Sequence, residues 1–126
     1  MGAGSVLVVQ RDVRIRFILQ MQLRGGGFEI AQSLDTAERA LSFLETERPD
    51  VILTGIAMNG PMDGFELCRR IRGDERAKAI PILILTVKSG AADVARGLEV
   101  GADDYVIKPW DATDLTTRIA TLIRGT

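Results

Sequence analysis

The residues able to do chemistry follow the apolar runs of the chain. Gln10, Arg11 and Asp12 come after Val6-Leu7-Val8-Val9, and Thr54 and Gly55 end the run from Val51. Thr86 ends Ile82–Leu85, and Lys108 and Pro109 follow Tyr105-Val106-Ile107. In an α/β protein the loops at the carboxyl ends of buried strands carry the reactive groups. A carboxylate there could act as a nucleophile, and several oxygen donors together could gather a hard cation. The central run instead ends in Thr54-Gly55, neither of which is a strong acid, base or ligand. The chain has no histidine and a single cysteine, Cys68. Histidine-based acid–base catalysis, phosphohistidine chemistry and most transition-metal sites are thereby excluded, and so is an internal disulfide. No nucleophile–base pair or metal cluster stands out, so an enzyme of its own is not expected.

These residues need a frame, and the hydrophobic pattern supplies one. Val6–Val9, Phe28–Ala31, Val51–Thr54, Ile82–Thr86 and Tyr105–Ile107 read as strands. Between them lie helical patterns. The first is capped by Asp12 and carries Ile15, Ile18, Leu19 and Leu23; Gly25-Gly26-Gly27 stops it. The second begins at a capping box of Asp35 and Glu38 and carries Ala37, Ala40, Leu41 and Leu44. The third is expected over Gly64–Arg72, with Asp63 at its start and Phe65, Leu67, Cys68 and Ile71 on its apolar side. The fourth is expected over Ala91–Val100. The fifth is capped by Asp111 and carries Leu115, Ile119, Leu122 and Ile123. Nearly unbroken apolar strands alternating with helices imply a parallel sheet covered on both faces.

With 126 residues, 46% of them hydrophobic and 26% charged, the chain has the composition of one soluble globular domain. We expect a single domain over 1–126, of the kind that forms one unit of a longer protein. A net charge of −1 gives no global electrostatic case for nucleic acid or an anionic membrane. No apolar run reaches membrane-spanning length, and the lone cysteine fits a reducing, cytoplasmic setting.

The stretches "VLVV", "RPDVIL", "MDGFELCRRIR", "IPILILT" and "GLEVGADDYVIKP" occur in an order and spacing that resemble the receiver domain of two-component response regulators, over almost the whole chain. The resemblance implies a flavodoxin-like three-layer fold with strand order 2-1-3-4-5. It also implies a site in which an acidic pair after the first strand and an aspartate ending the third gather Mg²⁺. That aspartate takes a phosphoryl group from a histidine kinase, aided by a Ser/Thr, a Lys-Pro and a switch aromatic. Thr86, Lys108, Pro109 and Tyr105 match the last four. The acidic pair falls on Gln10 and Arg11, and the phosphoacceptor on Gly55. The loop "GIAMNGPMDG" is one residue longer than the usual pattern.

Such a chain is expected to be a degenerate receiver that has lost Mg²⁺ and phosphorylation at the usual place and works by contacts with a protein partner or an attached effector domain. A displaced acceptor among Asp12, Asp63 and Thr54 is the alternative. A flavodoxin-like cofactor binder is a further one, although "QRDVR" lacks the Ser/Thr/Gly-rich phosphate loop that it needs. Arg11, Thr86 and Lys108 could hold an anion without metal; otherwise Arg11 points to water and Lys108 pairs with Asp12. The stretch "GLEVGADDY" with Arg118 is also similar to receivers of the winged-helix transcription-factor subgroup. That likeness implies a homodimer face on the fourth helix, fifth strand and fifth helix, using Glu99, Asp103, Asp104 and Arg118, with Val94 where a basic residue is common.

Overall fold

A computed structural model describes residues 2–125. The elements run β1 (Ser5–Val9), α1 (Val13–Gly25), β2 (Glu29–Leu34), α2 (Ala37–Phe43), β3 (Val51–Thr54), α3 (Gly64–Arg72), β4 (Ile82–Thr86), α4 (Ala91–Glu99), β5 (Asp104–Ile107) and α5 (Ala112–Arg124). All four strand pairings are parallel, and the sheet order is β2-β1-β3-β4-β5. This is the flavodoxin-like arrangement expected above.

Alternate residues along each strand feed opposite faces. Leu7, Val9, Ile52, Ile82 and Ile84 enter a core closed by α2 and α3 through Ala40, Phe65, Leu67 and Ile71. Val6, Val8, Leu53, Leu83 and Leu85 enter the other core, closed by α1 and α5 through Leu19, Leu23, Leu115 and Ile119. β1, β3 and β4 are buried on both sides, which is why they read as unbroken apolar runs.

Two expectations need correction. The second strand is not Phe28–Ala31 but Glu29–Leu34: pairing with β1 carries the edge strand on through Gln32 and Ser33, across a register shift between Val6 and Leu7. Phe28 is a core residue ahead of the strand, its N–H donating to Leu23 O at 2.9 Å. Because β2 is longer, the cap of α2 moves from Asp35 to Thr36, whose Oγ1 accepts from Arg39 N–H at 3.1 Å. Asp35 instead accepts from Asn59 Nδ2 at 3.3 Å and pairs with Arg39 at 3.4 Å. It thus ties the β2–α2 turn to the β3–α3 loop, and the Asn59 amide holds its carboxyl below the usual range.

The N-caps of the other three polar-capped helices fall where the sequence places them. Asp12, Asp63 and Asp111 accept from Arg14, Glu66 and Asp114 N–H at 2.8, 2.9 and 3.0 Å. Each satisfies an otherwise orphan donor of the first turn. The expected ends of α4 and β5 each differ by one residue, the usual fraying of element boundaries.

Candidate functional site

Parallel strands that all end on one edge of the sheet bring their following loops together there. Gln10, Arg11, Asp12, Ile15, Gly55, Ile56, Ala57, Leu85, Thr86, Val87 and Lys108 line one pocket of about 290 Å³ at that edge. Tyr105 lies apart from it, against α4.

The floor is set by Gly55 and Gln10. Gly55 N–H donates to Val9 O at 2.9 Å, and its carbonyl accepts from the buried Thr54 hydroxyl at 2.9 Å. Its φ is not positive, so the backbone here does not demand glycine. What is missing is room: a Cβ at position 55 would lie 2.8 Å from Gln10 Oε1. Gln10 is 3% exposed and its Nε2 donates to Leu85 O at 3.4 Å. A neutral amide therefore fills the space beside the end of β3. The sequence marks Gln10 as a non-acidic residue; that its side chain occupies the ground over Gly55 is visible only once β1 and β3 are paired.

The rim is set by Arg11 and Lys108. Arg16 fixes the loop that carries Arg11, its Nη1 donating to Gln10 O at 2.7 Å and Arg11 O at 3.1 Å. Lys108 follows the last strand, its N–H donates to Thr86 O at 2.8 Å, and the Lys108–Pro109 peptide is cis. Burial pushes the Lys108 ammonium below the ordinary lysine value; Asp12 opposes that shift and Arg11 adds to it. Asp12 does not pair with Lys108. Its carboxylate caps α1 and lies 3.5 Å from Arg14. The expected Lys108–Asp12 pair is thus replaced by a local one, because a cap aspartate is held by its own helix's first turn.

The Thr86 hydroxyl accepts from Lys88 N–H at 3.2 Å. The groups considered as displaced acceptors all have structural duties: Thr54 is fully buried and bonded to Gly55 O, and Asp12 and Asp63 cap helices. Among the described residues there is no group of three or more His, Cys, Asp or Glu able to hold a metal ion. Cys68 is buried, its thiol pushed up to about 12 mainly by desolvation, so it is an inert core residue.

The Tyr105 hydroxyl donates to Lys88 O at 2.7 Å, which ties β5 to the β4–α4 loop beside the pocket. Its ring rests against Gly97 of α4. Burial first and Asp93 second raise the phenol above its ordinary value, since both disfavour the phenolate. As Tyr105 is the one tyrosine, alkaline ultraviolet titration reads it alone. Asp93→Asn is expected to lower the apparent pKa but leave it above a free phenol. A titration midpoint unchanged by that substitution would remove Asp93 as a cause. Trp110 packs on the α1/α5 core, and its Nε1–H donates to Gln22 Oε1 at 2.7 Å.

The charged face sorts differently from the sequence grouping. Arg118 is closed inside the chain, donating to Asp104 at 2.9 and 3.0 Å and to Asp114 at 2.9 Å. Asp103 leaves that group: it sits at the entry end of the strands, pairs with Arg72 at 2.7 Å and accepts from Ile82 N–H at 2.8 Å. Arg72 also donates to the carbonyls of Gly101, Lys78 and Ile80. It is a structural tie that helical periodicity alone gave no reason to single out. Glu99 is exposed at the end of α4.

Comparison with known proteins fits this geometry. Residues 6–120 match the response regulator receiver domain family. The transcriptional regulatory protein AfsQ1 of Streptomyces coelicolor is 40% identical over 120 residues, which are 95% of this chain and 51% of that protein. The chain spans about half the length of the curated relatives it matches. The signal receiver domain of a signal transduction histidine kinase from Syntrophus aciditrophicus superposes with a TM-score of 0.88 at 32% identity, covering 98% of this chain and 92% of that one. The receiver domain of a Pseudomonas aeruginosa sensor histidine kinase, solved with a magnesium ion coordinated in its active-site cleft, superposes with a TM-score of 0.85 at 26% identity, covering 98% of each chain. The fold, the loops gathered at one sheet edge and these likenesses together place the chain in the response regulator receiver domain family of two-component signalling.

Proposed function

We propose that this domain is a pseudo-receiver: a signalling module that is not phosphorylated at position 55, catalyses no reaction of its own, and acts in a cytoplasmic signalling protein by presenting a surface to a partner or an attached effector domain. The observation that carries this reading is the make-up of the pocket. Where an aspartyl phosphate needs a carboxylate, Gly55 has no side chain, and the buried Gln10 amide stands over it. The donors present do not fit Mg²⁺, which takes hard oxygen ligands in near-octahedral geometry. The pocket's one carboxylate, Asp12, is committed to a helix cap, and Arg11 and Lys108 bring positive charge to the same space.

An interaction role draws support from α1. Val13, Phe17 and Met21 are 65%, 63% and 59% exposed, and they recur every fourth residue along one side of the helix. α1 carries Arg14, Arg16 and Arg24 and no acidic residue, so the complementary partner is an apolar segment with an acidic rim. On the α4–β5–α5 face the charged residues Arg118, Asp104 and Asp103 are satisfied within the chain, and the exposed apolar residues are Leu98 and Ile107, at 52% and 39%. No helix among the described residues is long and apolar enough to cross a membrane.

Incubation with Mg²⁺ and a small-molecule phosphodonor, followed by intact-mass measurement, is expected to leave the mass unchanged. A stoichiometric phosphoryl adduct would overturn the reading, and peptide mapping would then show whether Asp12, Asp63 or Thr54 had taken the group.

A further inference from the structure

The pocket at the sheet edge is not merely a site that has lost its acids. It combines two cations, Arg11 and Lys108, with apolar side chains, and neither cation has an ion-pair partner among the described residues. Asp12, the one acid in the lining, is held by the first turn of α1 and by Arg14. A half-buried ammonium without a partner is a standing electrostatic cost that an incoming anion relieves. The same pocket is lined by Ile15, Ile56, Ala57 and Val87. Ile56 is 4% exposed, whereas Val87, at 70%, stands open beside Thr86. A volume of about 290 Å³ exceeds what a bare tetrahedral anion fills, and it lies near the lower end of pockets that take small organic ligands.

Resting on the reading of the site as a pseudo-receiver, we propose that this pocket binds a small organic oxyanion without metal, its charged head on Lys108 and Arg11 and its apolar body against Ile15, Ile56 and Val87. Gln10 Oε1, beside Gly55, turns an acceptor toward the floor, and Asp12 adds a negative charge at the rim. Both disfavour a second anionic group, so the ligand carries one. Thr86 lines the same pocket as the cations, its hydroxyl accepting from Lys88 N–H. Binding there acts on the β4–α4 loop, to which Tyr105 is tied through Lys88 O. A ligand that prefers one arrangement of this loop shifts the population in its favour.

The test is a titration of the isotope-labelled domain in EDTA with inorganic phosphate, acetate, butyrate and hexanoate at matched ionic strength, following the amide signals of Thr86, Val87 and Lys108. Saturable shifts are expected, with affinity rising from acetate to hexanoate by up to about fourfold per buried methylene. Lys108→Gln and Arg11→Gln should each weaken hexanoate about tenfold or more, the loss of one charge-assisted contact, while Arg24→Gln, in the last turn of α1 away from the pocket, leaves it unchanged. Superimposable spectra elsewhere establish that the variants are folded. Linear shifts equal to those of chloride, equal affinity across the carboxylates, or affinity unaffected by both pocket variants would overturn the proposal. Saturable shifts of the same amides by Mg²⁺ alone would instead overturn the pseudo-receiver reading, so the two failures are told apart.

Discussion

Replacing Gly64 with alanine is expected to destabilise the domain by roughly 3 kcal/mol or more, a fall in thermal midpoint of about 10 °C. Gly64 opens α3, and its N–H donates to Ile56 O at 2.7 Å. A Cβ there would overlap the carbonyl oxygen of Gly55 and lie 2.9 Å from both the Gly55 carbonyl carbon and Ile56 Cα. All of these are backbone atoms, so no rotamer change relieves the contact. Either the end of β3 or the start of α3 must move, and both frame the pocket. Gly25→Ala is the control, since nothing lies within 4 Å of a Cβ at that position. Urea unfolding of the two variants beside the parent measures the difference. A Gly64→Ala midpoint equal to that of the parent would show that the loop from Ile56 to Asp63 is slack rather than clamped.

Gly55→Asp on its own is expected to remain inert toward a phosphodonor with Mg²⁺. The new side chain meets Gln10 Oε1 at 2.8 Å from its Cβ. That clash is cheap to relieve, because it is with the end of a flexible side chain, but the displaced Gln10 amide then gives up its bond to Leu85 O. The larger obstacle is charge. A unit pair about 4 Å apart at an effective dielectric near ~20 is worth about 4 kcal/mol, and a divalent ion doubles it. Solvent screening of the exposed Arg11 reduces this to a fraction, yet about 1.4 kcal/mol already costs tenfold in metal affinity. Gln10→Asp, Arg11→Asp and Gly55→Asp together remove the amide and the repelling charge and supply the missing nucleophile, and this triple variant is expected to gain the phosphoryl adduct. Intact mass after identical incubations decides it. A single Gly55→Asp variant that is phosphorylated as readily as the triple one would show that Arg11 does not guard the site.

Gly55 and Gly64 stand at opposite ends of one loop, and the sequence speaks unevenly about them. That Gly55 ends a buried strand is legible, because the run Val51-Ile52-Leu53 has the pattern of a strand buried on both faces of a covered parallel sheet. That Gly64 must be glycine was not, because its constraint comes from a carbonyl nine residues earlier that only the closed loop brings near. Asp12, Asp63 and Asp111 were legible as caps because capping is local, between residues two or three apart. Asp35 looks like a cap in the sequence because its partner, Asn59, lies 24 residues away.

What the sequence by itself determined was the alternation of elements, their faces and the identity of the residues at the ends of the strands. These follow from periodicity and local hydrogen bonding, which need no knowledge of neighbours. The tertiary structure alone decided that Gln10 lies over Gly55, that Ile15, Ile56 and Val87 line the pocket of Arg11 and Lys108, and that Asp103 turns to Arg72 instead of joining Arg118. Each of these depends on contacts between segments tens of residues apart, and the distances across them are set by sheet pairing and helix packing rather than by any spacing along the chain.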